Sequence, residues 1–235
     1  MHSSRYAQHK LEKKQAAVKG NESHPFRGAT APRAQLYRAT QLHDIDTWLR
    51  EVQHRTFRPN EEQFAVLQGV ATRLKQELQQ EQSIERNPVG DNDEPMLDLV
   101  HGLPGTGKTE VIKWLIELFQ VLGWENGVQY ICLAVQNVMA ANIGGQTIHH
   151  WSGIPTMKQE GSAGTKDTAT LSIKCQCLRF ILLDEISMVS GELLGALEHV
   201  IQKVVKSRTL WKKRADDSKR LFGGINVIFF EIGGN

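Results

Sequence analysis

The sequence predicts an α/β fold, a parallel sheet with helices on both faces. Three observations predict it. From Met96 onward, short apolar runs alternate with amphipathic stretches of helical length. The glycine-rich turn "HGLPGTGKTE" joins one such strand to one such helix, and the apolar run "RFILLDEIS" ends in two carboxylates. Strands separated by helical crossovers run parallel and are covered on both sides. At 235 residues the chain can bury a substantial core of its own.

Residues 1–40 are polar, basic and aperiodic, the composition of a disordered tail. Residues 41–95 hold two helices and a linker. Leu42, Ile45, Leu49 and Val52 mark a short amphipathic helix over Leu42–Val52. Phe64, Leu67, Val70, Leu74 and Leu78 mark a longer one, from Asn60 to about Gln82. The acidic, turn-rich "SIERNPVGDNDEP" then leads into the domain expected over 96–235. There the predicted order is strand Met96–Val100, helix Lys108–Leu122, strand Gln129–Val135 and a short helix Gln136–Ile143. An irregular stretch, "GGQTIHHWSGIPTMKQEGSAGTKD", follows, with "KQEGSAGTKDT" expected as a mobile surface loop. Strand Arg179–Leu183, helix Ser187–Val205 and strand Ile225–Phe230 complete the pattern.

Composition excludes several classes. No apolar run approaches about 18 residues, so a membrane span is not expected. The first residues, "MHSSRYAQHKLEKKQ", lack the apolar segment of a secretory signal. Their basic excess allows a mitochondrial address, against which Glu12 and the preference for lysine over arginine count. A net charge of +2 offers no bulk attraction to nucleic acid, so any such contact has to come from a local groove. Cys132, Cys175 and Cys177 are expected as reduced thiols of a cytosolic or nuclear protein; no second ligand pair stands at zinc spacing from Cys175 and Cys177.

Gly102 is followed, after four residues, by Gly107, Lys108 and Thr109, the P-loop spacing. Glycines let successive backbone N–H groups turn inward as an anion nest, where a Cβ would clash. The free N–H groups and dipole of the following helix favour phosphate. Lys108 is expected to bridge the β- and γ-phosphates, and the Thr109 hydroxyl to ligate Mg²⁺. Asp184 suits an outer ligand of Mg²⁺ and Glu185 a base that orients an attacking water. Without the glycine loop, these carboxylates would be read equally well as favourable charges at the start of the next helix.

Together "HGLPGTGKT", "AVQNVMAANIGGQTIHHWSGI", "LLDEISMVS" and "FGGINVIFF" resemble the PIF helicases, superfamily-one DNA helicases that translocate five-prime to three-prime. Asn142–Ile154 is similar to the family's "NIGG-x-TIH-x-(aromatic)-x-GI" word and Asp184–Met188 to its "DEISM". The resemblance covers about Pro59 to Phe230, most of one RecA-like P-loop NTPase domain. It implies ATP and Mg²⁺ as cofactors, with nucleotide contacts from Gly102, Gly105, Thr106, Gly107, Lys108 and Thr109. It implies single-stranded DNA as partner, and a nuclear setting with the mitochondrion or cytoplasm as alternatives. The pathways implied are DNA repair, recombination and telomere maintenance.

The resemblance also assigns an adenine contact to Gln63, which stands three positions after Asn60 as in a capping box; the two roles are compatible. Thr147 and His149 are the implied DNA contacts, with Trp151 as a stacking face. The residues alone favour a buried Trp151 and a His149 satisfied by backbone. After a strand like "INVIFF" the family continues with Gly-Asp, an aromatic and a glutamine. This chain reads Glu231-Ile232-Gly233-Gly234-Asn235 instead. The expectation is therefore an incomplete motor half, with a nucleotide- and DNA-binding fragment without unwinding activity as the alternative. A small-molecule kinase is disfavoured, because the Asn142–Ile154 word has no role in one.

Overall fold

Five parallel strands form the sheet, in the order β1-β5-β4-β2-β3. They are β1 (Leu97–Gly102), β2 (Tyr130–Ala134), β3 (Gln146–Thr147), β4 (Phe180–Leu183) and β5 (Asn226–Ile232). The computed structural model describes residues 31–83, 94–155, 168–205 and 218–232. The expected disordered tail up to residue 30, most of the acidic linker and the insert before Thr168 lie outside them. The chain divides into two units, Met1–His43 and Asp44–Asn235. The first contributes the opening turns of helix α1 (Ala31–Gln53), which begins before the expected Leu42. The second contains the rest of α1, the longer helix expected from Asn60 and the sheet.

Alternation along the strands sorts the core onto two faces. Register rows run Val227–Ile181–Ile131 on one face and Ile228–Leu182–Cys132 on the other. The first face packs against α5 (Ile148–Ser152), α6 (Thr168–Lys174) and α7 (Gly191–Val204) through Ile148, Trp151, Leu171, Leu197 and Ile201. The second packs against α3 (Lys108–Val121), whose Phe119 ring lies 5.1 Å from Phe180 and 4.9 Å from Tyr130. The expected stripe of α3, from Val111 to Leu122, is buried, with Trp114 added to it. Helix α2 (Glu61–Ser83) buries Leu67, Val70, Leu74 and Leu78, as its periodicity predicts.

Two stretches differ from expectation. The segment expected to be irregular contains β3 and α5, after α4 (Asn137–Asn142). Gly145 permits this: a Cβ there would stand 2.3 Å from the carbonyl oxygen of Cys132, so only glycine lets β3 close against β2. Helix α7 starts at Gly191 rather than Ser187, because Ser190 caps it by accepting a hydrogen bond from Leu193 N at 3.2 Å. Ile186–Met188 forms a separate 3₁₀ turn. Helix α6 has too few residues to reveal a period, and sequence pattern missed it.

Candidate functional site

The topology assembles the site. β5, last in the chain, lies between β1, which feeds the glycine loop, and β4, which feeds Asp184. Ligands of such sheets bind outside the carboxyl ends of the strands. The loop, the acid pair and the Thr147 segment all follow carboxyl ends of this sheet: β1, β4 and β3.

Gly105 and Gly107 have φ of 81° and 84°, left-handed values that bring the loop into α3. Gly107 is also the N-cap of α3, without a side-chain cap. Space is short beside it: a Cβ on Gly107 would stand 2.6 Å from Gln63 Nε2. The Lys108 ammonium reaches back into the loop, donating to the carbonyl oxygens of Gly102 at 2.5 Å and Leu103 at 2.9 Å. It also lies 3.4 Å from the Thr106 hydroxyl. Thr109, one residue into α3, is exposed.

Gln63 is engaged at both ends of its amide. Its Oε1 accepts from Asn60 N at 2.9 Å, while its backbone N–H donates to Asn60 Oδ1 at 2.8 Å, the reciprocal capping box. Its Nε2 donates to the Thr106 carbonyl oxygen at 2.9 Å. The cap of α2 is thereby tied directly to the glycine loop.

Asp184 continues the β4 ladder for one step, its N–H bonding the Leu133 carbonyl at 2.8 Å. Its carboxylate accepts from Glu185 N at 3.0 Å. Glu185 has φ 57°, a left-handed value that costs a non-glycine residue energy and turns the chain sharply at the strand end. Burial raises both carboxyl pKa values above their ordinary range; Asp184 adds to the rise of Glu185, and the Lys108 charge opposes both. Lys108 therefore acts electrostatically on both acids. Burial also pushes the Cys132 thiol up to about 12, with Asp184 adding to it, so this cysteine is an inert core residue.

The DNA candidates divide. Thr147 caps α5, its hydroxyl accepting from His150 N at 3.2 Å. His149 is half-buried, and its Nδ1 meets the Ile154 carbonyl oxygen at 2.9 Å. Both stand at the carboxyl edge. Trp151 is a correction: 2 % exposed within the core that faces α7, it has no free ring face on which a base could stack. His150, which the sequence reading passed over, is the exposed member of this turn. Its adjacency to His149 in "TIHHW" was the available signal. Glu231, half-buried, shares the register row of His101 and the α7 face with Phe229.

The PIF1-like helicase family model matches residues 77–234. The chain belongs to the PIF1-like helicase family. Among relatives, the ATP-dependent DNA helicase RRM3 of Saccharomyces cerevisiae is 31 % identical over 146 residues, covering 56 % of this chain and 17 % of that protein. The ATP-dependent DNA helicase PIF1 of the same species is 30 % identical over 132 residues, covering 54 % of this chain and 14 % of that protein. The chain thus spans about a sixth of the length of these curated relatives. The crystal structure of Pif1 helicase from Candida albicans shares the fold, with a TM-score of 0.50 at 22 % identity. That match covers 75 % of this chain and 33 % of the other. The PIF1-like match takes in the glycine loop, the acid pair and the Thr147 segment.

Proposed function

We propose that this chain binds ATP at the glycine loop and supplies the ATP-hydrolysing half of a DNA helicase motor. The observation that carries the reading is the convergence of Lys108, Gly107 and Gln63 with Asp184 and Glu185 at one sheet edge, where the Lys108 charge opposes the raised pKa values of both acids. Both yeast relatives are named as ATP-dependent DNA helicases, which supports ATP as ligand and DNA as partner.

Each residue has a role in this reading. The N–H groups opening α3 and the loop around Gly105 and Gly107 cradle the phosphates. Lys108 leaves the loop carbonyls to pair with phosphate oxygens, an exchange of neutral acceptors for anionic ones that favours the bound state. Mg²⁺ fits here: the Thr109 hydroxyl and the Asp184 carboxylate are oxygen donors at the same edge, the chemistry this ion selects. When bound, the ion neutralises phosphate charge. Glu185, its proton affinity raised by burial and by Asp184, is suited to orient and accept a proton from an attacking water. Thr147, His149 and the exposed His150 offer contacts for the backbone of single-stranded DNA. In cells, the family resemblance supports a nuclear protein of DNA repair, recombination and telomere maintenance, with a mitochondrial or cytoplasmic setting as the alternative.

Titration of the 235-residue chain with a fluorescent ATP analogue tests the central claim. We expect Mg²⁺-dependent binding that Lys108→Ala abolishes. Unchanged binding by that variant would sink the nucleotide reading. A salt-sensitive affinity for a single-stranded oligonucleotide, weakened in Thr147→Ala with His149→Ala, tests the DNA edge in the same preparation.

A further inference from the structure

We infer that Phe57 is the platform on which the base of the bound nucleotide stacks; this rests on the nucleotide reading above and deepens it. Phe57 lies between α1 and α2, six positions before Gln63. It is 64 % exposed, far more than any other described phenylalanine, tyrosine or tryptophan between Trp48 and Phe230. Water contact over so much aromatic surface is unfavourable, and the ring is not left to wander. It rests on Trp114, with centroids 5.6 Å apart and planes inclined by 35°. Trp114 itself is only 5 % exposed and belongs to the packed stripe of α3. One aromatic ring is thus held by another, and its remaining surface faces solvent.

Its place along α3 connects it to the phosphate cradle. Gly107 faces Gln63 closely enough that a Cβ would touch the amide. Trp114 lies within α3, seven residues beyond Gly107 and about 10 Å along the axis. Six positions apart in one segment, Gln63 against Gly107 and Phe57 on Trp114 line the flank of α3 that this segment covers. A nucleoside triphosphate anchored through its phosphates at Lys108 has to lay its sugar and base within roughly this distance. This flank offers the base an immobilised aromatic face.

The same geometry says what kind of recognition to expect. Both ends of the Gln63 amide are already bonded, to Asn60 N and to the Thr106 carbonyl oxygen. Affinity from a stack does not require those bonds to break, and every base has a π-face. A stack of this kind discriminates little between one base and another.

Calorimetric titration of the full chain with Mg²⁺-ATP, Mg²⁺-GTP and Mg²⁺-tripolyphosphate separates base from phosphate. Phe57→Ala is expected to weaken both nucleotides about 5- to 150-fold, the contribution of one base-on-aromatic stack. Tripolyphosphate, which has no base, should bind as before, and Phe57→Tyr should restore nucleotide affinity. Phe57→Leu keeps apolar cover over Trp114 and serves as the packing control; it too should lose nucleotide affinity while melting like the parent. Unchanged nucleotide affinity in Phe57→Ala, or an equal loss for tripolyphosphate, overturns the stack. If Lys108→Ala abolishes tripolyphosphate binding while Phe57→Ala changes nothing, only the stack fails. If Lys108→Ala keeps every ligand, the phosphate site fails and the stack with it.

Discussion

The two ends of the sheet treat their polar groups in opposite ways. At the amino ends of the strands, the Glu77 side chain of α2 is only 3 % exposed and saturated with donors. It accepts from Arg73 Nε at 2.9 Å, from Asn226 Nδ2 at 2.7 Å and from Arg179 Nη2. Asn226, the first residue of β5, accepts from Met96 N at 2.8 Å and donates to the Arg179 carbonyl at 3.1 Å. One carboxylate thereby ties α2 to the starts of β4 and β5, and through Asn226 to the start of β1. At the carboxyl ends, Asp184 and Glu185 are desolvated with pKa values raised, and Glu185 sits in left-handed backbone. Helix α2 reaches both ends, with Glu77 in one network and Gln63 against the glycine loop. Where charge has only to hold the fold, it is fully paired. Where it is to meet a ligand, burial is only partly offset, by Lys108, and strain is retained, the arrangement expected of a functional edge.

The largest effect should come from breaking the saturated end. Glu77→Ala leaves Arg73 and Arg179 without their shared carboxylate and Asn226 short of an acceptor. We expect a loss of about 3–5 kcal/mol in a urea unfolding midpoint analysis, the cost of unpairing a buried ion pair. A loss below about 1 kcal/mol, ordinary for an exposed pair, would mean the amino end is no clamp and the contrast between the ends is false.

A middle-sized effect should come from the other end, with its weight shifted from stability to ligand. Gly107→Ala places a Cβ at φ 84° and against Gln63 Nε2. We expect about 1–2 kcal/mol of destabilisation, together with loss of nucleotide binding in the fluorescent titration. Retention of full ATP affinity would show that the loop does not need this backbone turn.

The same division explains what the sequence disclosed. The glycine loop and the acid pair were legible because their chemistry demands particular residue types in one short stretch. The α/β alternation was legible because the buried strands stand out as short apolar runs and each long helix carries its own period. Glu77 was not singled out, although it falls between Leu74 and Leu78, on the buried stripe of α2. A lone carboxylate in an apolar stripe was the signal, but its partners Arg179 and Asn226 lie more than a hundred residues away in sequence. Trp151 was misjudged for a related reason. An aromatic in a DNA-contact word resembles a stacking face, and only the packing of α5 against β2, β3 and α7 shows that it closes the core. The short β3 and α6 were illegible because two to seven residues carry no period.

The smallest expected effect has the opposite sign to the others, which makes it the sharpest test of the contrast. Asp184→Asn keeps an oxygen to accept from Glu185 N but removes a charge that burial disfavours. With the folded-state pKa of Asp184 raised above its ordinary value of 3.8, the folded chain holds this proton more tightly than the unfolded chain does. Stability from this group is therefore greatest at low pH and declines as pH rises from about 4 through the raised value. At neutral pH the ionised carboxylate lowers stability, and the neutral amide does not. Lys108 offsets part of this cost, so the gain is expected to be small. Thermal melts of parent and variant without Mg²⁺ should show the variant slightly more stable at pH 7, the gap closing towards pH 4. Adding Mg²⁺ and ATP should reverse the order, since the ion then pairs with the carboxylate only the parent has, and ligand binding stabilises the folded state by mass action. A variant less stable than its parent at pH 7 without Mg²⁺ would show Asp184 to be a structural acid like Glu77.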